Sequence, residues 1–212
     1  MDNFRKLEEI FAKFPGIGPR QARRFVYYIL SRPNATVNEF VRLLGEVRKQ
    51  TSECSACHRL FISASSSASS STSTLATNLC NICSDSNRDR STLVVVARDS
   101  DFESIEKSGA YRGLYFILGG TIPILDKEPE KRVRLELLLH YTKNLQNLGE
   151  IILSLNTTPD GDNTAEIIKG ALQKIVDPTK TKITILGRGL STGAELEYAD
   201  SETIKFALKN RN

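Results

Sequence analysis

Two C-x-x-C pairs, Cys54-Ser55-Ala56-Cys57 and Cys80-Asn81-Ile82-Cys83, constrain this 212-residue chain more than any other feature. A tetrahedral metal site of thiolates needs four sulfur ligands about 2.3 Å from the ion, and each C-x-x-C turn offers two on one side. Four cysteines close the coordination shell, so the expectation is a structural zinc ion held by Cys54, Cys57, Cys80 and Cys83, with no position open for catalysis. His58 follows Cys57 directly but is surplus to a four-cysteine set. Paired disulfides are the competing reading. They suit an exported protein, and Met1-Asp2-Asn3-Phe4-Arg5 has no apolar h-region. A redox C-x-x-C fits less well, because neither pair opens the helix of a βαβ unit. Between the pairs, Ser63–Thr74 is built of Ser, Ala and Thr, which bury too little apolar surface to offset their ordering entropy, so a mobile loop is expected.

Charge divides the chain. The formal net charge is +4, yet residues 1–50 hold ten Lys/Arg against five Asp/Glu, and the other 162 hold 19 against 20. A +5 segment on a near-neutral body is what a polyanion-binding module requires, although a solvated basic surface has the same composition. No run of about 18 apolar residues is present, so no membrane-spanning helix is expected and the cytoplasm is the expected location.

Periodicity separates the same regions. Residues 3–50 are expected to be helical. Leu7, Ile10, Phe11 and Phe14 recur at three- and four-residue steps, and Phe25, Val26, Ile29 and Leu30 repeat the pattern. Thr36-Val37-Asn38-Glu39 has capping-box spacing and is expected to start a third helix. After residue 90, short β-branched runs at Leu93–Val96, Leu114–Leu118, Ile151–Leu155 and Ile183–Leu186 alternate with helical stretches near 101–108, 131–147, 164–176 and 201–209. Continuous apolar strands separated by helices predict a mostly parallel sheet covered on both faces.

Phe14-Pro15-Gly16-Ile17-Gly18-Pro19 interrupts the first two helices and precedes Arg20, Arg23 and Arg24. Without Cβ atoms, Gly16 and Gly18 let backbone amides approach a phosphate, and Pro19 suits the first turn of a helix whose N-terminus attracts anions. Arg20 and Arg24, four apart, share one helix face and add charge-assisted bonds. These contacts read backbone rather than bases, so the expected ligand is DNA bound without sequence preference and with strong salt dependence. The bland alternative is an ordinary helix–helix turn beside a basic surface.

Taken together, these segments resemble the bacterial recombination mediator family RecR, nearly end to end. The resemblance rests on Phe14–Arg24, the four cysteines, Cys83–Asp89, Ile105–Gly120 with its Tyr111-Arg-Gly-Leu-Tyr115, the stretch Asn156–Asp162, and Arg188–Asp200. It implies an α+β chain of several parts: a helix–hairpin–helix segment at 1–52, a small zinc finger at 53–84, an α/β Toprim domain at 85–188 and a C-terminal segment at 189–212. It also implies a non-catalytic repair protein that forms a ring, typically a tetramer, around DNA and works with RecO and RecF to load RecA onto single-stranded DNA. On the matching positions, Arg20 and Arg24 would touch DNA, and acids of the Toprim face would engage a partner protein.

Several positions depart from the family pattern. Toprim enzymes hold Mg²⁺ with a Glu after their first strand and an acid-x-acid pair after a later one. Here Ala97 takes the first position, while Asp160-Gly161-Asp162 keeps the pair and Asp101 is near in sequence. Asp101, Asp160 and Asp162 are therefore expected to meet a basic partner, or else to complement helix N-termini. The runner-up function is a Toprim-type, Mg²⁺-dependent DNA-cleaving or joining enzyme. Phe116 stands where a His is expected, Thr157 where a Pro is, and the serine-rich insert is longer than the family's. Gly187, Gly189 and Gly193 fit no phosphate-loop spacing and are expected as turn glycines at positive φ. With two His in the chain and neither in a nucleophile motif, hydrolytic Ser-His-Asp chemistry has no support.

Overall fold

The computed structural model describes residues 2–63, 78–126, 128, 131–190, 193 and 195–209. The expected mobile loop at Ser63–Thr74 lies, beyond Ser63, outside these residues. The chain forms two compact units, one on the amino-terminal helices through Ser52 with Ile62 and Ser63, and one on Glu53–Phe61 with the described residues from Asn78 onward.

The first unit holds α1 (Asn3–Ala12), α2 (Pro19–Leu30) and α3 (Asn34–Gln50). Asp2 caps α1, its carboxylate accepting the Phe4 N–H at 3.1 Å. α1 and α2 pack through Phe11, whose ring meets Phe14 at 5.4 Å and Phe25 at 5.9 Å. Ala22 and Val26 are buried, whereas Phe25 and Leu30 from the same apolar pattern stay exposed. α3 begins at Asn34, two residues before the expected Thr36 cap. Pro33 supplies the start instead, with φ −55°, and its carbonyl accepts the N–H groups of Thr36 and Val37. Thr36 therefore sits inside the first turn.

The second unit is built on four parallel strands, β3 (Asp89–Val96), β4 (Gly113–Ile117), β5 (Glu150–Ser154) and β6 (Lys182–Ile185), ordered β4-β3-β5-β6. Two very short strands precede it as a separate two-stranded sheet, β1 (Thr51–Glu53) and β2 (Leu60–Ile62), followed by the one-turn helix α4 (Asn81–Ser84). The sheet is buried on both faces, as its continuous apolar strands require. Leu93, Val95, Leu114, Phe116, Ile151 and Leu153 point to the face covered by α6 (Leu135–Asn144) and α7 (Pro159–Gln173), where Leu138, Ile168 and Leu172 fill the core. Val94, Val96, Tyr115 and Ile117 point to the other face. There they meet Phe102 of α5 (Asp99–Ser108) and all four cysteines.

Helix ends differ from the apolar periodicity. α7 begins at Pro159 rather than near 164, because Thr158 caps it by accepting the Gly161 N–H at 3.2 Å and Pro159 occupies the first turn. Its polar first turn hides that start from any hydrophobic pattern. α6 is shorter than the expected 131–147, since the chain turns extended at Leu145 and Asn147 adopts φ 60° to enter β5. The last helix, α8 (Ser201–Lys209), falls where expected. Among the expected turn glycines only Gly193 has positive φ (85°). Gly187 and Gly189 do not.

Candidate nucleic-acid interface and metal centre

The α1–α2 connection is a tight turn. Pro15 and Gly16 form its centre, Gly16 has φ 75°, and the Ile17 N–H donates to the Phe14 carbonyl at 3.0 Å. Proline before a left-handed residue defines a type II turn, and glycine takes that conformation without Cβ strain. Gly18 then caps α2 with extended backbone and no side-chain bond, leaving first-turn amides of the helix exposed beside Pro19. Arg20, Arg23 and Arg24 are all exposed on this helix. Arg23 differs from its neighbours, since its Nε donates to Glu8 at 2.5 Å and that bond raises its pKa. Arg20 and Arg24 make no ion pair among the described residues.

The cysteines converge as their spacing predicts. All four are buried and joined by no disulfide, and their sulfur atoms lie within 4.8 Å of each other. Cys57 Sγ and Cys80 Sγ are 3.6 Å apart, far beyond a disulfide and close to the roughly 3.8 Å edge of a tetrahedron with 2.3 Å metal–sulfur bonds. The thiols cannot all ionise together without a cation. Hydrogen bonding from Cys57 holds Cys54 well below the usual thiol range, and the same bond pushes Cys57 up. The group can hold one metal ion. His58 stays outside it: its Nδ1 lies 2.7 Å from Glu53 Oε1, and its ring packs edge-on against Phe116.

The three singled-out acids follow the C-terminal ends of the adjacent strands β3 and β5, beside the point where the strand order reverses. Open parallel sheets place ligand sites at that edge. Each acid already has a local partner. Asp101 accepts the Arg98 N–H at 3.0 Å in the first turn of α5, Asp160 accepts the Ile124 N–H at 3.3 Å, and Asp162 is paired with Arg188. Ala97, just past β3, is fully buried. Among the described residues, the cysteines are the one group of three or more Cys, His, Asp or Glu side chains close enough to share a metal, so these acids do not converge.

Residues 4–48 match the RecR helix-hairpin-helix family, 91–186 the Toprim domain and 189–212 the RecR C-terminal family. Recombination protein RecR of Lactobacillus johnsonii is 33% identical over 206 residues, covering 97% of this chain and 94% of the relative. Recombination protein RecR of Staphylococcus aureus (strain Newman) is 34% identical with the same coverage, as is that of Lactococcus lactis. The chain belongs to the RecR family.

Within that RecR frame, the departures have structural reasons. Phe116, in place of the expected His, is fully buried and wedged between His58 and Tyr141, whose ring lies 5.7 Å away. Thr157 is exposed ahead of the α7 cap, where the turn does not need a proline. Spacing had no means of revealing the Arg188–Asp162 pair or the Asp160–Ile124 bond, because each joins residues distant in the chain. Among the described residues, no helix is long and apolar enough to cross a membrane.

Proposed function

We propose that this RecR-family chain is a non-catalytic DNA-binding protein of recombinational repair, acting in the cytoplasm. It assembles as a ring, a tetramer, around DNA and works with RecO and RecF to load RecA onto single-stranded DNA. Residues 1–52 bind DNA through the amides around Gly16 and Gly18 and through Arg20, Arg23 and Arg24. The finger at 53–84 holds structural zinc on Cys54, Cys57, Cys80 and Cys83. The Toprim domain at 85–188 presents Asp101, Asp160 and Asp162 to a partner protein, with 189–212 as the C-terminal segment. One observation supports this reading above the rest: Arg20 and Arg24, exposed and without an ion pair among the described residues, stand on a helix whose glycine-capped start leaves its amides open.

A Mg²⁺-dependent Toprim enzyme is the second reading, and the retained Asp160/Asp162 pair at the sheet's switch point favours it. Against it stand the buried Ala97 and acids already committed to Arg98, Ile124 and Arg188. Incubation with Mg²⁺ and supercoiled or nicked plasmid separates the two. DNA retained on the protein at low salt with unchanged topology is expected. Metal-dependent cutting or joining would overturn the non-catalytic reading.

A further inference from the structure

β6 is the last strand in the order β4-β3-β5-β6, so one of its sides has no neighbouring strand among the described residues. The N–H groups of Lys182 and Leu186 donate inward, to the carbonyls of Gly149 and Leu153 at 2.8 and 3.0 Å. Alternate residues of a strand bond opposite sides, so the N–H and C=O of Ile183 and Ile185 are directed away from β5. The Ile183 side chain still packs against the core, whereas Ile185 is 49% exposed. A cleft of about 510 Å³ opens beside the start of the strand, walled in part by Val176, Lys182 and Ile183. A second, of about 270 Å³, opens beside its end, walled in part by Leu186, Phe206 and Lys209. No acidic side chain among the described residues lines either cleft. The carboxylates nearby are engaged: Glu150 accepts the Thr184 hydroxyl at 2.7 Å, and Asp177 accepts that of Thr179 at 2.7 Å and pairs with Lys180 at 3.8 Å. Lys182 and Lys209 are exposed and in no ion pair among the described residues.

An open edge of outward amides and carbonyls is completed by extended backbone, which a helix or a nucleic acid cannot supply. Apolar clefts at both ends take alternate side chains of such a strand, and a lysine at each cleft selects carboxylates. A second copy presenting the same edge would set its Lys180 and Lys182 against the same lysines here. Like charges across paired strands are destabilising, and lysine on an edge discourages self-pairing. We propose that β6 is a strand-addition site for an extended segment of a partner protein in which apolar and acidic residues alternate. Main-chain groups of the segment pair with Ile183 and Ile185, its apolar side chains enter the clefts, and its carboxylates meet Lys182 and Lys209. This surface is separate from Asp101, Asp160 and Asp162, and it selects the opposite charge.

Three labelled peptides test it on the full chain: one alternating Asp and Val, one alternating Lys and Val, and the acidic peptide methylated on alternate backbone nitrogens. The acidic peptide is expected to bind and to slow amide exchange at Ile183 and Ile185 more than at any other sheet residue. The basic and the methylated peptides should bind about tenfold more weakly, the scale of one or two lost backbone hydrogen bonds. Ile185→Pro removes an outward N–H and no bond to β5, at an edge position that accepts proline. It should weaken the acidic peptide about tenfold. Lys182→Glu should weaken it about fivefold and strengthen the basic peptide, a gain that a damaged fold would not give. Equal binding of the three peptides, or acidic-peptide binding that leaves exchange at Ile183 and Ile185 unchanged, overturns the site. So does an Ile185→Pro chain whose mass in solution falls, which would assign the edge to a second copy. No binding of the acidic peptide at about 1 mM also overturns it.

Discussion

The backbone N–H of Ile117 donates to the carbonyl of Cys57 at 2.9 Å, so the Cys54–Cys57 turn is hydrogen-bonded to the outer strand of the parallel sheet. The sulfur cluster shares one apolar core with Val94, Val96, Phe102, Tyr115 and Ile117. It forms part of the layer over one sheet face. A metal ion held by these cysteines would therefore couple to folding of the sheet, because structural zinc contributes folding energy directly.

Cys57→Ser is expected to release the metal and destabilise the second unit by more than about 4 kcal/mol, the scale of lost metal sites. Metal content and amide exchange of β4 measure this together. A variant that lost zinc but kept β4 protected would break the coupling.

Glu106 gives the sheet a pH limb. Burial alone would raise its pKa, but hydrogen bonds from Arg88 and Tyr115 outweigh that and hold it below the usual carboxylate value. A depressed carboxylate adds stability that is present above its unfolded pKa, about 4.3, and is lost as pH falls through the lower folded value. Thermal melts should show this loss below about pH 4, and Glu106→Gln should flatten that part of the curve. Tyr115 is displaced upward by burial and by its bond to Glu106, so it stays a donor across the neutral range.

Gly161 has no room for a methyl group. A Cβ there would lie 1.9 Å from the Asn156 carbonyl oxygen and 3.2 Å from Thr158 Oγ1. Gly161→Ala should cost about 1–3 kcal/mol through forced backbone movement. It should also displace Asp160 and Asp162, weakening binding of a RecO-like partner if those acids meet it. Denaturant titration and a pull-down read the two effects separately.

Arg20→Ala combined with Arg24→Ala should reduce the salt dependence of DNA affinity. For each phosphate that the double variant no longer neutralises, the slope of log affinity against log salt should drop by about 0.9 on duplex and about 0.7 on a single strand. Arg23→Ala should have a smaller effect, since Glu8 already engages that guanidinium. Anisotropy titrations at several salt concentrations give these slopes, and an unchanged slope would refute the hairpin assignment.

Much of this was legible in the residues alone because the signals are local. Two C-x-x-C turns, a Pro-Gly turn before a proline-started helix, and continuous β-branched runs each report a nearby physical requirement, and the structure contains all three. Element ends were less legible. Pro33 and Thr158 start α3 and α7 with polar or capping residues that hydrophobic periodicity ignores. The carboxylate partners were not legible at all, because Asp160 meets Ile124 and Asp162 meets Arg188 across 36 and 26 residues of chain.

By itself, then, the sequence determined the chemistry on offer: four soft ligands, a basic turn helix and a sheet of continuous apolar strands. The tertiary structure alone decided where each group is spent. Packing seals the cysteines against β3 and β4, and loop bonds engage the acids. In the amino-terminal unit, Arg20, Arg24 and Tyr28 face solvent. Side-chain type follows from one position, but burial and partnership depend on residues brought together only by the fold.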